Sequence, residues 1–195
     1  MPSFAPTTRF QTRDPMCKII NFTHATLDSY IDNPQDWWLP YVDEELQEYE
    51  LKMHRAADAL LLGRITHEHM AQAWPNMDGS PFVDHVNAIT HYVVASKPVD
   101  ITKWNPTVVI PGADLLDDIT RKKREVGGDI IIWGTGQLTD TLASAGLLDE
   151  YRISIAPVIR GSGQPLFRPA SAGTLDLLDT KVFATGAVIH AYRPT

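Results

Sequence analysis

Two glycine-bearing turns constrain the fold of this chain most, because each lies where an apolar strand ends and a helix begins. The first turn, residues 63–66 (GRIT), follows the apolar run 59–62; the second, residues 134–138 (GTGQL), follows the run 130–133. Strands that alternate with helices favour a parallel sheet covered on both faces. At the carboxyl end of such a strand, the first turn of the next helix presents free backbone N–H groups that can bind phosphate.

The remaining segments continue this alternation. Strands are predicted at 17–23, 59–62, 91–95, 107–110, 130–133 and 151–158, helices at 40–57, from 63 to about 74, at 113–126 and at 137–145, and a hairpin at 175–183 and 187–192. These elements predict a three-layer α/β fold: a mostly parallel mixed sheet, helices on both faces, and a C-terminal antiparallel hairpin at one edge. Residues 17–195 are expected to form one domain, and residues 1–16 a flexible leader.

Composition narrows the class of ligand. The 195 residues carry 17 lysines and arginines against 24 aspartates and glutamates, a net charge of −7. This balance argues against a nucleic-acid or membrane-surface binder, which needs a positive field. The single cysteine, Cys17, rules out an internal disulfide and suits a reducing compartment. We therefore expect a cytoplasmic protein whose partner is a small molecule, with neither nucleic acid nor membrane as partner.

Several polar motifs also have structural interpretations. For both glycine turns the alternative is a tight strand-to-helix connection, and the second lacks the further glycine, at Thr139, of a full dinucleotide motif. Residues 127–128 (GG) are predicted to end a helix, and residues 121–124 (RKKR) to form its solvated end. His67 and His69 diverge by roughly 200° on a helix, so we expect two solvent-facing side chains and no metal site.

The order and spacing of several motifs resemble those of a known family. Residues 26–31 (TLDSYI), 63–68 (GRITHE) and 93–97 (VVASK) resemble dihydrofolate reductase-type proteins. The last third is similar to the C-terminal reductase domain of the bifunctional riboflavin-biosynthesis deaminase-reductase, through 134–138 (GTGQL), 146–150 (GLLDE) and 157–167. The resemblance extends over about residues 18–193.

This resemblance implies an NADPH-dependent reductase with the cofactor across the carboxyl edge of the sheet. The implied cofactor residues lie at strand ends: His24, Ala25, Gly63, Arg64, Thr66, Ser96, Lys97, Gly134, Thr135, Gly136, Gln137 and Leu138. Ser96 and Lys97 are expected at the adenosine end, and His24 and Ala25 beside the nicotinamide. The loop 28–40 is expected to act as a lid whose Asp28, Trp37 and Trp38 contact a flat substrate.

The implied reaction is hydride transfer from NADPH to a C=N or C=O group of a small heterocycle. Pyrimidines, pteridines and riboflavin-pathway substrates such as 5-amino-6-(5-phosphoribosylamino)uracil belong to this class. Asp43 or ordered water is the candidate proton donor, and the alternative for Asp43 is an acidic side chain that offsets the dipole in the first turn of a helix. In folate enzymes the acidic residue stands where this chain has Val42, and the one-residue step to Asp43 rotates a helical side chain by about 100°.

Two further expectations accompany the reductase hypothesis. The alternative function is a catalytically silent nucleotide-binding or regulatory protein on the same fold. Homologous reductase domains commonly pair, so a homodimer that uses the late strands is expected.

Overall fold

Eight strands and five α-helices make up the computed structural model, which describes residues 17–125 and 127–195. The predicted leader, residues 1–16, lies outside this range. The strands are β1 (Ile19–Thr26), β2 (Ala57–Gly63), β3 (Thr90–Ala95), β4 (Thr107–Pro111), β5 (Asp129–Trp133), β6 (Glu150–Ala156), β7 (Leu175–Val182) and β8 (Val188–Pro194). The helices are α1 (Glu44–Arg55), α2 (Arg64–Met70), α3 (Pro81–Ala88), α4 (Leu115–Lys122) and α5 (Gln137–Ser144).

All eight strands belong to one sheet, in the order β4-β3-β2-β5-β1-β6-β8-β7. The six strands from β4 to β6 in this order are parallel, and β8 and β7 add an antiparallel hairpin at the edge beyond β6. The predicted fold class is therefore confirmed.

Apolar side chains on the central strands face both sides of the sheet. Along β5, Ile130 and Ile132 face a core covered by α4 and α5, whereas Ile131 faces a core covered by α1 and α3. Leu60 and Leu61 of β2 divide between the two cores in the same way. Burying such a side chain contributes on the order of 2 kcal/mol, so these two strands fix the middle of the three-layer fold.

Capping decides where α1 begins. The helix was predicted from residue 40, but Leu39–Tyr41 forms a separate 3-10 turn and α1 begins at Glu44. The Asp43 carboxylate accepts a hydrogen bond from the Leu46 amide at 2.9 Å, which satisfies one of the free N–H groups at the helix start.

Residues 127–128 were predicted to end a helix, but α4 already stops at Lys122. The Gly128 amide instead donates to the Asp58 carboxylate at 2.5 Å. A Cβ at Gly128 would lie 2.7 Å from the Ala56 carbonyl oxygen, so only glycine allows this approach of the chain to the start of β2.

Helix α3 was not predicted. Its N-cap is Ser80, whose hydroxyl accepts a hydrogen bond from the Phe82 amide, and Val83 and Val86 are its buried residues. In the part of the chain that the structure describes, no helix is both long and apolar enough to cross a bilayer.

Candidate functional site

Two cavities adjoin along the carboxyl edge of the parallel strands. The first, of about 480 Å³, is called here the glycine notch. Its lining includes Gly63, Arg64, Thr66, Ser96, Gly112, Gly134, Thr135, Gly136, Gln137 and Leu138. The second, of about 720 Å³, is called the aromatic cavity. Its lining includes Phe22, His24, Trp38, Glu50, His54, His69, Met70, Trp74, Met77, Phe82 and Trp133. Both cavities are bordered by Thr66, Trp133, Gly134 and Thr135, so they form one continuous groove.

Sheet topology brings the two glycine turns into one notch. Strands β2 and β5 are parallel neighbours, with Leu61 opposite Ile132, so the turns that follow them lie side by side. The turns lead into α2 and α5, whose N-caps are Gly63 and Gly136. Among the described residues, no side chain caps either helix start. The first N–H groups of both helices are therefore free to bind an anion.

Gly134 holds the backbone of the notch in a conformation that favours glycine. Its φ is +75°, and no neighbouring atom lies within 4 Å of the position of a Cβ, so the space beside it is open. The Gly134 carbonyl accepts a hydrogen bond from the Asn21 side-chain amide at 2.7 Å. The Thr135 hydroxyl donates to the Leu166 carbonyl, which ties the turn to the loop after β6.

Arg64 stands at the rim of the notch. Its Nη1 donates to both carboxylate oxygens of Glu68, at 2.8 and 2.6 Å. Both side chains are partly exposed, so this pair contributes little to stability and can exchange for a phosphate.

A chain of hydrogen bonds crosses the wall of the aromatic cavity. The ring of His24 stacks on Trp38, with centroids 4.2 Å apart, and its Nε2 lies 3.1 Å from Glu50 Oε1. His54 Nδ1 donates to the Glu50 carbonyl at 2.8 Å, and Trp133 Nε1 donates to His54 Nε2 at 2.9 Å. This pairing assigns the Nδ1–H tautomer to His54. Burial lowers the pKa of His54 to about 4, so the ring is neutral at physiological pH.

The profile of the RibD C-terminal domain family matches residues 17–191. The chain belongs to this family. A relative is the uncharacterised protein YwjB of Bacillus subtilis (strain 168), which is 29% identical over 180 residues, 90% of this chain and 98% of the relative.

Solved structures share the fold of this RibD C-terminal domain. A Shewanella sp. PV-4 protein provisionally assigned to riboflavin biosynthesis aligns with a TM-score of 0.67 at 18% identity, over 91% of this chain and 99% of its own. Dihydrofolate reductase from Enterococcus faecalis, solved with NADP(H), aligns with a TM-score of 0.61 at 16% identity, over 91% and 96% of the two chains.

Most of the residues expected at the cofactor in this RibD C-terminal domain line the groove. Lys97 and Ala25 are outside the lining of both cavities, and Ala25 is fully buried within β1. His24 lines the aromatic cavity rather than the notch, because β1 lies beyond β5 in the sheet.

The three residues of the loop 28–40 that were expected to contact substrate lie in different environments. Trp38 lines the aromatic cavity, whereas Trp37 is buried and its Nε1 donates to the Asp32 carbonyl at 3.0 Å. Asp28 accepts hydrogen bonds from the amides of Arg160 and Gly161, which fixes the turn after β6. Partial desolvation raises the pKa of Asp28, but these amides and a nearby hydroxyl outweigh it and hold the pKa below its usual value.

Asp43, the expected acid, caps α1 and is outside the lining of the aromatic cavity. Glu50 and His54, further along the same helix, line it instead. The sequence contained a signal for both: they continue the i+4 spacing from buried Leu46, the apolar side of the helix.

The two histidines of α2 differ in environment. His69 is exposed, as predicted, and lies on the lining of the aromatic cavity. His67 was predicted to face solvent but is fully buried, because it stacks on Trp104 and lies 3.2 Å from the Thr107 hydroxyl. Burial lowers its pKa. Within the described ranges, no three or more histidine, cysteine or acidic side chains converge to hold a metal ion.

Proposed function

We propose that this chain is an NADPH-dependent reductase of a small heterocycle. The observation that carries the proposal is the junction of the two cavities, where Thr66, Trp133, Gly134 and Thr135 border both. A ligand in the notch and a second ligand in the aromatic cavity would meet at this junction. Membership in the RibD C-terminal domain family supports the same reaction class.

The residues of the notch fit a dinucleotide. The pyrophosphate would bind the free N–H groups at the start of α5 and beside Gly134, where the missing side chain leaves open space. Arg64 would release Glu68 and bind phosphate with its forked donors. Ser96 follows β3 and also lines the notch, and it would lie toward the adenosine.

NADPH would supply the hydride, and this chain's residues would orient the reactants and exclude water. Trp133 would form a fixed wall at the junction, because its indole N–H is bound to His54. Trp38, held against His24, would cover a flat ring from the loop side.

A proton is also required, and the His24–Glu50 pair is the group we assign to deliver it. The two side chains lie on the cavity wall with their nitrogen and oxygen 3.1 Å apart, a distance at which one proton can be shared. His54 is unsuited to this task because both of its ring nitrogens are already hydrogen-bonded.

Titration of the protein with NADPH, followed by nicotinamide fluorescence, tests the proposal. We expect binding in the micromolar range for wild type and at least tenfold weaker binding for Gly134→Ala. Gly146→Ala is the matched control, because Gly146 also has a positive φ (+67°) and open space but lies outside the notch. Equal effects of both variants, or no binding to wild type, would contradict the proposal. Binding without NADPH oxidation across a heterocycle panel would support the silent alternative.

A further inference from the structure

We infer that the aromatic cavity takes a flat heterocycle that carries no phosphate group. The inference rests on the proposed function in treating this cavity as the substrate site. It narrows the substrate to neutral or weakly basic rings, such as free pteridines, flavin-like rings or unphosphorylated nucleosides. It thereby sets this chain apart from the phosphoribosyl-type substrate that the family resemblance implied.

The first argument is the charge of the lining. Among residues 17–125 and 127–195, no lysine or arginine lines the aromatic cavity. Its ionisable side chains are Glu50, His24, His54 and His69. The Glu50 carboxylate is largely buried, His24 is hydrogen-bonded to it, and His54 is held neutral by burial. With the proton that we assign to it, the His24–Glu50 pair is neutral overall, so a phosphate dianion would be desolvated in this cavity with no lysine or arginine to compensate its charge, which is unfavourable.

The second argument is that the neighbouring cation is already paired. Arg160, in the loop after β6, is outside the lining of the aromatic cavity. Its Nη1 donates to the Asp32 carbonyl at 2.8 Å and to the Asp32 carboxylate at 3.0 Å. Asp32 also accepts a hydrogen bond from the Gln164 amide at 2.7 Å, so this network fixes the loop. Moving Arg160 into the cavity would break these contacts.

The third argument is the chemistry of the side chains that form the walls of the aromatic cavity. The rings of Trp74 and Trp133 lie 5.0 Å apart at one side, and Trp74 also contacts Phe82. Met70 and Met77 supply thioethers beside them. Aromatic faces and polarisable sulfur stabilise a flat ring by stacking and dispersion, and they offer no compensation for a desolvated phosphate.

Riboflavin and flavin mononucleotide, which differ by one phosphate, test the inference. Both are titrated by isothermal calorimetry into the 195-residue chain, with saturating NADP⁺ to fill the glycine notch, and again without NADP⁺. We expect riboflavin to bind at least about tenfold more tightly than the mononucleotide in the NADP⁺-loaded protein. Equal or tighter binding of the mononucleotide, or no binding of riboflavin, would overturn the inference.

A substitution that adds a positive charge tests whether the preference for riboflavin arises in the aromatic cavity. His69 is exposed on its lining, so His69→Lys adds a cation there without disturbing the core, and His69→Gln is the neutral control. We expect the lysine variant to bind the mononucleotide at least fivefold more tightly than the glutamine variant, with riboflavin unchanged within twofold. Glu50→Gln should act in the same direction. Mononucleotide affinity that responds to neither change would contradict the inference.

The two proposals fail in different ways. If the protein does not bind NADPH but prefers riboflavin to the mononucleotide, the proposed cofactor is wrong and the inferred phosphate-free ligand class is supported. If the protein oxidises NADPH yet prefers the mononucleotide, the reductase function is supported and the inferred phosphate-free substrate class is wrong.

Discussion

His54 makes stability depend on pH in a way that can be calculated. Burial lowers its pKa from 6.5 to about 4, so between these values the unfolded chain binds a proton that the folded chain does not. Stability is therefore complete above about pH 6.5 and falls as the pH decreases toward 4. Within this window the free energy of unfolding falls by about 1.4 kcal/mol per pH unit. Lowering the pH from 7.5 to 5.0 therefore lowers it by about 2 kcal/mol through His54 alone.

Urea denaturation followed by circular dichroism at pH 7.5 and 5.0 measures this cost. Burial also lowers the pKa values of His67 and His91, so wild type should lose more than 2 kcal/mol in total. The comparison with His54→Gln isolates one group: the variant should lose about 2 kcal/mol less than wild type between the two pH values. Equal losses would refute the reasoning, because His54 would then titrate alike in the folded and unfolded chains.

Three other predictions concern cofactor binding, catalysis and assembly. Arg64→Ala should raise the NADPH dissociation constant about tenfold, whereas Glu68→Ala, which frees Arg64, should not raise it. Nicotinamide fluorescence measures both dissociation constants. Weaker NADPH binding in both variants would point to altered folding of α2. Asp43→Ala should lower the free energy of unfolding by about 1 kcal/mol through the lost cap and leave kcat/KM for NADPH-dependent reduction of a heterocycle within twofold. Glu50→Gln should lower the same kcat/KM at least tenfold. The opposite pattern would assign the proton to Asp43. We also predict a homodimer through the exposed edge strand β7, which Leu177→Asp should dissociate in size-exclusion chromatography with light scattering; a monomeric wild type would contradict this.

The central strands were predictable because local sequence and burial agree there. Residues 59–62 and 130–133 are continuous apolar runs, which strands buried on both faces require, and each is followed by a glycine turn. The positions of the turns along the chain therefore followed from sequence. Their convergence into one notch followed from the parallel pairing of β2 and β5, which a strand-helix alternation favours without specifying.

The wall of the aromatic cavity was less predictable. Spacing places Glu50 and His54 on the apolar side of α1, but their roles depend on His24 and Trp133, which come from other strands of the sheet. The same holds for Asp28, whose carboxylate binds the amide of Gly161. Polar side chains have no sequence signature for such partners, because a hydrogen bond is decided by distance and angle after the sheet has formed.

The sequence alone thus determined the layers and the positions of the glycine-bearing strand-to-helix turns, since these depend on local conformation and on hydrophobic periodicity. Only the tertiary structure decided that His67 is buried against Trp104 and that Asp43 caps a helix while Glu50 lines the cavity. The physical reason is that burial and pairing of polar groups depend on neighbours contributed by other elements of the fold.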